Sequence, residues 1–388
     1  MSRDVSPGCA VEEFMAYNSV QFLGFSINTM PAGDADPTNP FQLKYLGNTN
    51  SKIDVSKRCQ VMMDAVRAAA KSVTIAGSNT LKIFMAPEFF FRGDRGAYPI
   101  EEVSTILPRL RQWTHSPAYK DWLFVFGSAL GYLTDGQAKE IFNVALIQRG
   151  GTEADDKDNA RLVFKEYISR VDFIRPKAYT AKVCPNCNTM VYANEFTNWD
   201  VNRPDHRLGL ANTPDQRMSV LRPTQGSRDH LSKSTNAPGR GKENSASGLG
   251  GGGHFTMAGI RFGLEVCLDH YNGRLKASPP AAGEVYPQIH LIPSAGVNIT
   301  QASVACANQG IIFNVDGGGH IQLAQNAGTY DVPHVSPWAW LFPPNVGGWV
   351  DVKLVQPRKD GADYFVGGGG MVYISYVANL PPTVPAPP

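Results

Sequence analysis

The sequence predicts an α/β layered sandwich, and three observations support this. Short apolar runs with strand character recur along the chain, at residues 19–27 (SVQFLGFSI), 81–86 (LKIFMA), 122–128 (WLFVFGS), 141–148 (IFNVALIQ), 289–293 (IHLIP), 310–316 (GIIFNVD) and 367–377. Only a few stretches of helical spacing lie between them. The balance of 43% hydrophobic and 18% charged residues over 388 positions is that of a globular chain able to bury a large core. Length alone permits two or three domains as well as one elaborated domain.

Taken in order, 19–27 is a buried strand closed by the turn-rich segment 28–40. From Asp54 the spacing becomes helical: Val55, Cys59, Met62, Met63, Val66 and Ala70 recur at three and four residues, with Asp54 or Ser56 placed to cap. The strand at 81–86 stops at Pro87-Glu88, followed by three phenylalanines and a turn at 93–96. Residues 101–114 read as a helix and 161–173 (RLVFKEYISRVDF) as a strand with Lys165 inside it. Such a lysine either snorkels from an edge or is held in a site.

Residues 176–254 change character, being rich in Pro, Asn, Gly, Ser and Arg with little periodicity, and form a lid-like insertion. Tyr192, Trp199, Arg203 and Arg207 are its candidates for facing a substrate. Its terminal glycine run lacks the Lys-Ser/Thr of a phosphate loop and reads as a flexible hinge. Cys184-Pro-Asn-Cys187 is a CxxC without a second pair, so it is a weak zinc candidate, and no metal is expected. Order resumes at 261–270 (RFGLEVCLDH). If this is a strand, Glu265, Cys267 and Asp269 share one face. Residues 301–308 read as a helix, and 381–388 as an extended tail.

The formal charge of +2 and the absence of a long basic block give no sign of nucleic-acid binding. No apolar run reaches membrane-spanning length, and residues 1–18 do not read as a secretory signal. Six cysteines in so long a chain are not a disulfide framework. The expectation is a soluble, cytoplasmic protein.

Three separated strand ends thus offer Glu88, Lys165 and Cys267. Each has an ordinary reading, as a surface carboxylate, a snorkelling lysine and a core thiol. Together they suit one chemistry. Glu88 takes the thiol proton, Cys267 attacks the carbon of a carbon–nitrogen group, and Lys165 stabilises the oxyanion with a backbone N–H such as that of Leu268. Glu88 then protonates the departing amine and activates water against the thioester on Cys267.

The succession Ala86-Pro87-Glu88-Phe89, Phe164-Lys165-Glu166-Tyr167-Ile168 and Gly263-Leu264-Glu265-Val266-Cys267-Leu268-Asp269 resembles the nitrilase, or carbon–nitrogen hydrolase, superfamily. Phe126-Gly127-Ser128, Phe142-Asn143-Val144-Ala145, Ile292-Pro293-Ser294-Ala295 and Ala305-Cys306-Ala307-Asn308 are similar to its flanking pieces, so the likeness runs from about residue 19 to 325. The resemblance implies a single domain (1–388) built as a four-layer αββα sandwich with a large loop insertion. It also implies cofactor-free hydrolysis of a small-molecule amide or nitrile, and homo-oligomers. It maps the base and acid onto Glu88, the oxyanion lysine onto Lys165 and the nucleophile onto Cys267.

The 102 residues from Lys165 to Cys267 exceed the usual interval, and the insertion accounts for the excess. Many members have a second carboxylate after the lysine; here Asp172, Glu195 and Glu265 are the candidates. Asp269 resembles amidase-like branches, whereas His270 is similar to what some nitrile enzymes carry. Asp269, His270, Ser294 and Asn298 are the substrate-binding candidates. The alternatives to an amidase are a nitrilase, an N-acyltransferase, or a nitrilase-like binding protein with zinc at the CxxC.

Overall fold

A computed structural model of the chain describes residues 17–32, 45–94, 96–135, 138–152, 159–165, 182–183, 190–191, 253–280, 282–326, 349–358 and 360–386. Its strands are β1 Ser19–Asn28, β2 Thr80–Met85, β3 Tyr98–Pro99, β4 Trp122–Asp135, β5 Ala138–Arg149, β6 Ala160–Phe164, β7 Lys182–Val183, β8 Met190–Val191, β9 His254–Met257, β10 Ile260–Leu264, β11 Ile289–Ser294, β12 Ile311–Asp316, β13 Ile321–Gln325, β14 Trp349–Val355 and β15 Val366–Asn379. The α-helices are α1 Ser51–Ala70, α2 Ile100–Val103, α3 Ile106–Thr114 and α4 Leu268–Tyr271.

The larger sheet has the order β14-β15-β1-β2-β4-β5-β6, with β3 paired to β4. The smaller runs β13-β12-β11-β10-β9. In each, a parallel centre (β1-β2-β4; β10-β11-β12) is flanked by antiparallel strands.

The central strands are apolar on both faces because both faces are covered. In β1, Val20 and Phe22 point between the sheets, while Leu23, Phe25 and Ile27 point towards the helices. In β2, Leu81, Ile83 and Met85 point between the sheets, and Phe84 towards the helices. Between the sheets they meet Phe262, Leu264, Leu291, Phe313 and Val315, with the Phe22 and Phe313 ring centroids 5.0 Å apart. On the opposite side, α1 and α3 bury Val55, Cys59, Met62, Val66, Ile106 and Leu110 against the larger sheet. The outer face of the smaller sheet is covered by residues 299–306, where Ile299, Val304 and Cys306 pack on Ile292, Ile312 and Ala324. The layers are therefore helix, sheet, sheet and outer cover, as the resemblance implies. Among the described residues the outer cover is built of short turns and no long helix.

Several local expectations change. Helix α1 begins three residues before Asp54, because the Asn50 side chain accepts the N–H groups of Lys52 and Ile53. Asp54 instead forms a buried ion pair with Arg58 at 2.6 Å and accepts the Tyr98 hydroxyl. The helix expected over 101–114 is split into α2 and α3, and at 301–308 only one 3-10 turn, Gln301–Ser303, is formed. The apolar residues of that stretch cap the smaller sheet from an irregular backbone. The strand expected over 161–173 ends at Phe164, so Lys165 stands just beyond it; residues 166–173 lie outside the described residues.

The strand expected to run through Cys267 also stops early, at Leu264. The extended tail is pinned beside residues 284–288: Tyr286 N–H donates to Val384 O at 2.9 Å and Ala386 N–H to Glu284 O at 2.7 Å. No helix among the described residues is long and apolar enough to cross a membrane.

Candidate active site

Glu88, Lys165 and Cys267 converge because each follows the C-terminal end of a strand, β2, β6 and β10 respectively. All three are buried. Lys165 Nζ donates to Glu88 Oε1 at 2.8 Å, and Asn143 Nδ2 donates to the same oxygen at 2.9 Å. The Cys267 thiol lies close enough to Glu88 and Lys165 that both charges act on it directly.

The turn that presents Glu88 is fixed on every side. Its N–H donates to Ser294 O across the two sheets at 3.2 Å, and Thr29 Oγ1 donates to its carbonyl at 2.7 Å. Phe89 follows with φ 60°, held by its N–H on Ser128 Oγ at 3.0 Å. Its ring lies 5.5 Å from the Lys165 ammonium. Beside it Gly127 adopts φ +71°, and a Cβ there would stand 2.2 Å from Pro87 O. Lys165 is anchored by its own N–H on Asn143 O at 2.9 Å. Asn143 therefore touches both charged partners, through its backbone and its side chain.

Cys267 sits on a sharp turn with φ 50° and ψ −107°, unusual for a residue with a Cβ. The turn converts β10 into α4. Cys267 N–H donates to Pro293 O at 3.1 Å, and the thiol approaches Ala295 O at 3.8 Å. Burial pushes the thiol pKa well above its ordinary value, the Glu88 charge pushes the same way, and Lys165 opposes. Burial thus favours the neutral thiol.

The turn also separates residues expected on one face. Val266 and Cys267 join the apolar layer between the sheets. Glu265 faces the opposite way, under the outer cover. There His270 Nδ1 and His290 Nε2 each lie 3.0 Å from its Oε2, and Leu275 N–H donates to its Oε1. Among the described residues, Glu265, His270 and His290 are the cluster with ligand-type atoms close enough to hold a metal ion, all within 4.8 Å of one another.

Of the other candidates, Asp269 is buried with its carboxylate 3.9 Å from Arg274 Nε. Ser294 Oγ is engaged with Val297 O, Asn314 Oδ1 and Asp316 Oδ2, which hold the 294–297 loop in shape. Asn298 is exposed. Asp172, Glu195, Cys184, Cys187 and the lid residues Tyr192, Trp199, Arg203 and Arg207 lie outside the described residues, as does the glycine hinge apart from Gly253. The antiparallel pair β7 and β8 brackets the CxxC. Sequence reasoning passed over Asn143, Ser128 and His290 as individual residues. Asn143 and His290 did leave a signal, a lone polar side chain inside an apolar strand that must find a buried partner.

No family model matches the chain, and no curated protein matches it. Among solved structures it is similar to Saccharomyces cerevisiae Nit3, a member of branch 10 of the nitrilase superfamily, at 9% identity and a TM-score of 0.39, over 95% of this chain and 92% of that one. It is also similar to a glutamine-dependent NAD(+) synthetase from Cytophaga hutchinsonii, at 11% identity and a TM-score of 0.29, over 80% of this chain and 39% of that one.

Proposed function

We propose that the chain is a cysteine-dependent hydrolase that cleaves a non-peptide carbon–nitrogen bond, most simply an amide, through a thioester on Cys267. One observation supports this above the others: a buried carboxylate and ammonium from two strand ends are hydrogen-bonded, and both charges act directly on a buried thiol at a third.

Glu88 takes the thiol proton as Sγ attacks the carbonyl carbon. The charge that develops on the carbonyl oxygen is met by Lys165 Nζ and by the N–H of Leu268, which as the first residue of α4 has no acceptor within the helix. Collapse of the tetrahedral adduct expels the amine, which receives the proton from Glu88 and leaves the acyl group on sulfur. Water, deprotonated by Glu88, then releases the acid and restores the thiol. Asn143, bound to the same Glu88 oxygen as Lys165, fixes the direction of that carboxylate.

Asp269, two residues after the nucleophile, resembles what amidase-like branches of the superfamily carry, and that resemblance favours amide over nitrile. The same three groups would serve a nitrile, or an amine in place of water as acyl acceptor. The reading takes a small-molecule substrate, a cytoplasmic setting and a homo-oligomeric assembly, without a cofactor.

The test is mass spectrometry of the intact protein after incubation with mixed small amides and nitriles. The expected result is an acyl adduct on Cys267 that is absent from Cys267→Ala, with turnover lost in Cys267→Ser. Turnover that survives Cys267→Ala, or zinc bound stoichiometrically at the CxxC with no adduct formed, refutes it in favour of a binding protein.

A further inference from the structure

We propose that Glu265 is a positioning residue for the Cys267 nucleophile, an ionised carboxylate shared by two neutral histidines that clamps the turn carrying the thiol from behind. This rests on the hydrolase reading above.

Proton bookkeeping supports it. Thr300 N–H donates to His270 Nε2 at 2.9 Å, and Ala305 N–H donates to His290 Nδ1 at 3.4 Å. A ring nitrogen that accepts from a backbone N–H bears no proton. Each ring proton therefore sits on the nitrogen that faces Glu265, on Nδ1 of His270 and Nε2 of His290. Both rings are neutral and both donate to Oε2, while Leu275 N–H donates to Oε1. Three donors on one buried carboxylate favour its charged form.

The same bookkeeping disfavours a metal ion at this cluster. A histidine bound to a metal through its inner nitrogen presents an N–H on the outer one, and here both outer nitrogens face backbone N–H groups instead.

The clamp spans the nucleophile. Glu265 lies two residues before Cys267 and His270 three after it, so their hydrogen bond closes a bridge across the residue with φ 50°. Through His290 and the Thr300 and Ala305 donors, the same carboxylate ties this turn to β11 and to the outer cover. Pro293 and Ala295, whose carbonyls receive the Cys267 N–H and thiol, stand on that strand and its exit. Glu265 does not touch the reacting trio; it acts by fixing where the sulfur stands.

The test has two arms. Full-length protein labelled with 15N-histidine should show, at pH 7, His270 protonated on Nδ1 alone and His290 on Nε2 alone, with neither signal shifted by one equivalent of Zn2+. A doubly protonated ring, or a Zn2+-induced shift of both, overturns the proposal without any variant having to fold. In the kinetic arm, Glu265→Gln must aim an amide donor at one of the three N–H groups. It should lower kcat at least tenfold with KM within twofold of wild type. An unchanged kcat, or a KM that rises in step, refutes the clamp alone. Turnover by Cys267→Ser equal to wild type would instead show that the hydrolase reading has failed and that the positioning role falls with it.

Discussion

Two glycines with nearly the same positive φ make a controlled test of how the Glu88 turn is held. Gly127 has φ +71° and Gly259 has φ +74°, so replacing either with alanine places a Cβ in the left-handed region, at about 1 kcal/mol each. Their surroundings differ. A Cβ at Gly259, in the hairpin turn between β9 and β10, meets nothing within 4 Å. At Gly127 it would stand 2.2 Å from Pro87 O, a backbone atom that cannot swing aside. Van der Waals separation is about 3.5 Å, so the Pro87 peptide must retreat by roughly 1 Å. Glu88 is the next residue and moves with it. Overpacking of this kind costs a further ~1–3 kcal/mol, and a 1 Å misplacement of a reacting group can lower the rate by about 100-fold. Gly127→Ala should therefore lose about 2–4 kcal/mol in urea unfolding and fall about 100-fold in kcat, with the Cys267 adduct forming correspondingly slowly. Gly259→Ala should lose about 1 kcal/mol and keep its kcat. Equal activities for the two variants would show that the packing behind Pro87 does not set the position of Glu88.

Lys165→Met leaves the Glu88 carboxylate buried without its ammonium, and should cost about 3–5 kcal/mol. Adding Glu88→Gln should recover part of that loss in unfolding while turnover stays absent, and a double variant no more stable than Lys165→Met would contradict the pairing. Asn50→Ala should cost about 1 kcal/mol of stability without touching kcat, since it removes only the α1 cap. Acid should destabilise the fold in two stages. His254, facing Arg261, His290 and Glu265, is held down to about 4 by burial, and His270, facing Glu265 and His290, is lowered by the same cause. The unfolded chain thus binds protons before the folded one does. Stability is complete above about pH 6.5 and falls as pH drops towards 4, by about 3 kcal/mol for His254 alone. Glu265, lowered to about 2 against its burial by the bonds from the two histidines, adds a second loss from about pH 4.5 downwards. A urea midpoint that stays flat between pH 7 and 5 would refute the neutral assignment of these histidines.

The strands were legible because their apolar character does not depend on what they pack against. Residues 19–27 and 81–86 are buried on both faces, and their sequence shows it directly. The trio was legible for a related reason, since each member is a polar residue stranded at the exit of an apolar run. What could not be read was the conformation of single residues. Nothing in GLEVCLD says that the strand stops at Leu264 and that Cys267 takes φ 50°, because tertiary bonds from Pro293, His290 and Thr300 impose that turn. Alternation along an assumed strand accordingly put Glu265 beside the thiol, and the turn puts it behind. Residues 301–308 failed in the same way. Their apolar spacing suits a helix, but covering the smaller sheet needs only Ile299, Val304 and Cys306 to point inwards, which an irregular segment does as well.

The turn also decides between Glu88 and Glu265 as the base for the proposed Cys267 nucleophile. A general base must reach the thiol and must be able to take up a proton near neutral pH. Glu265 meets neither condition. Its oxygens are occupied by two imidazole N–H groups and a backbone N–H, its pKa is held at about 2, and it lies on the far side of β10 from the layer that Cys267 joins. To accept a proton it would have to give up one of those donors, and the histidines cannot turn to compensate while Thr300 and Ala305 hold their outer nitrogens. Glu88 stands near enough for its charge to act directly on the thiol. Lys165 and Asn143 both donate to the same oxygen, Oε1. A proton arriving at Oε2 therefore displaces neither. Under the proposed mechanism, Glu88 is therefore the carboxylate that exchanges a proton with sulfur, and Glu265 is the one that stays fixed.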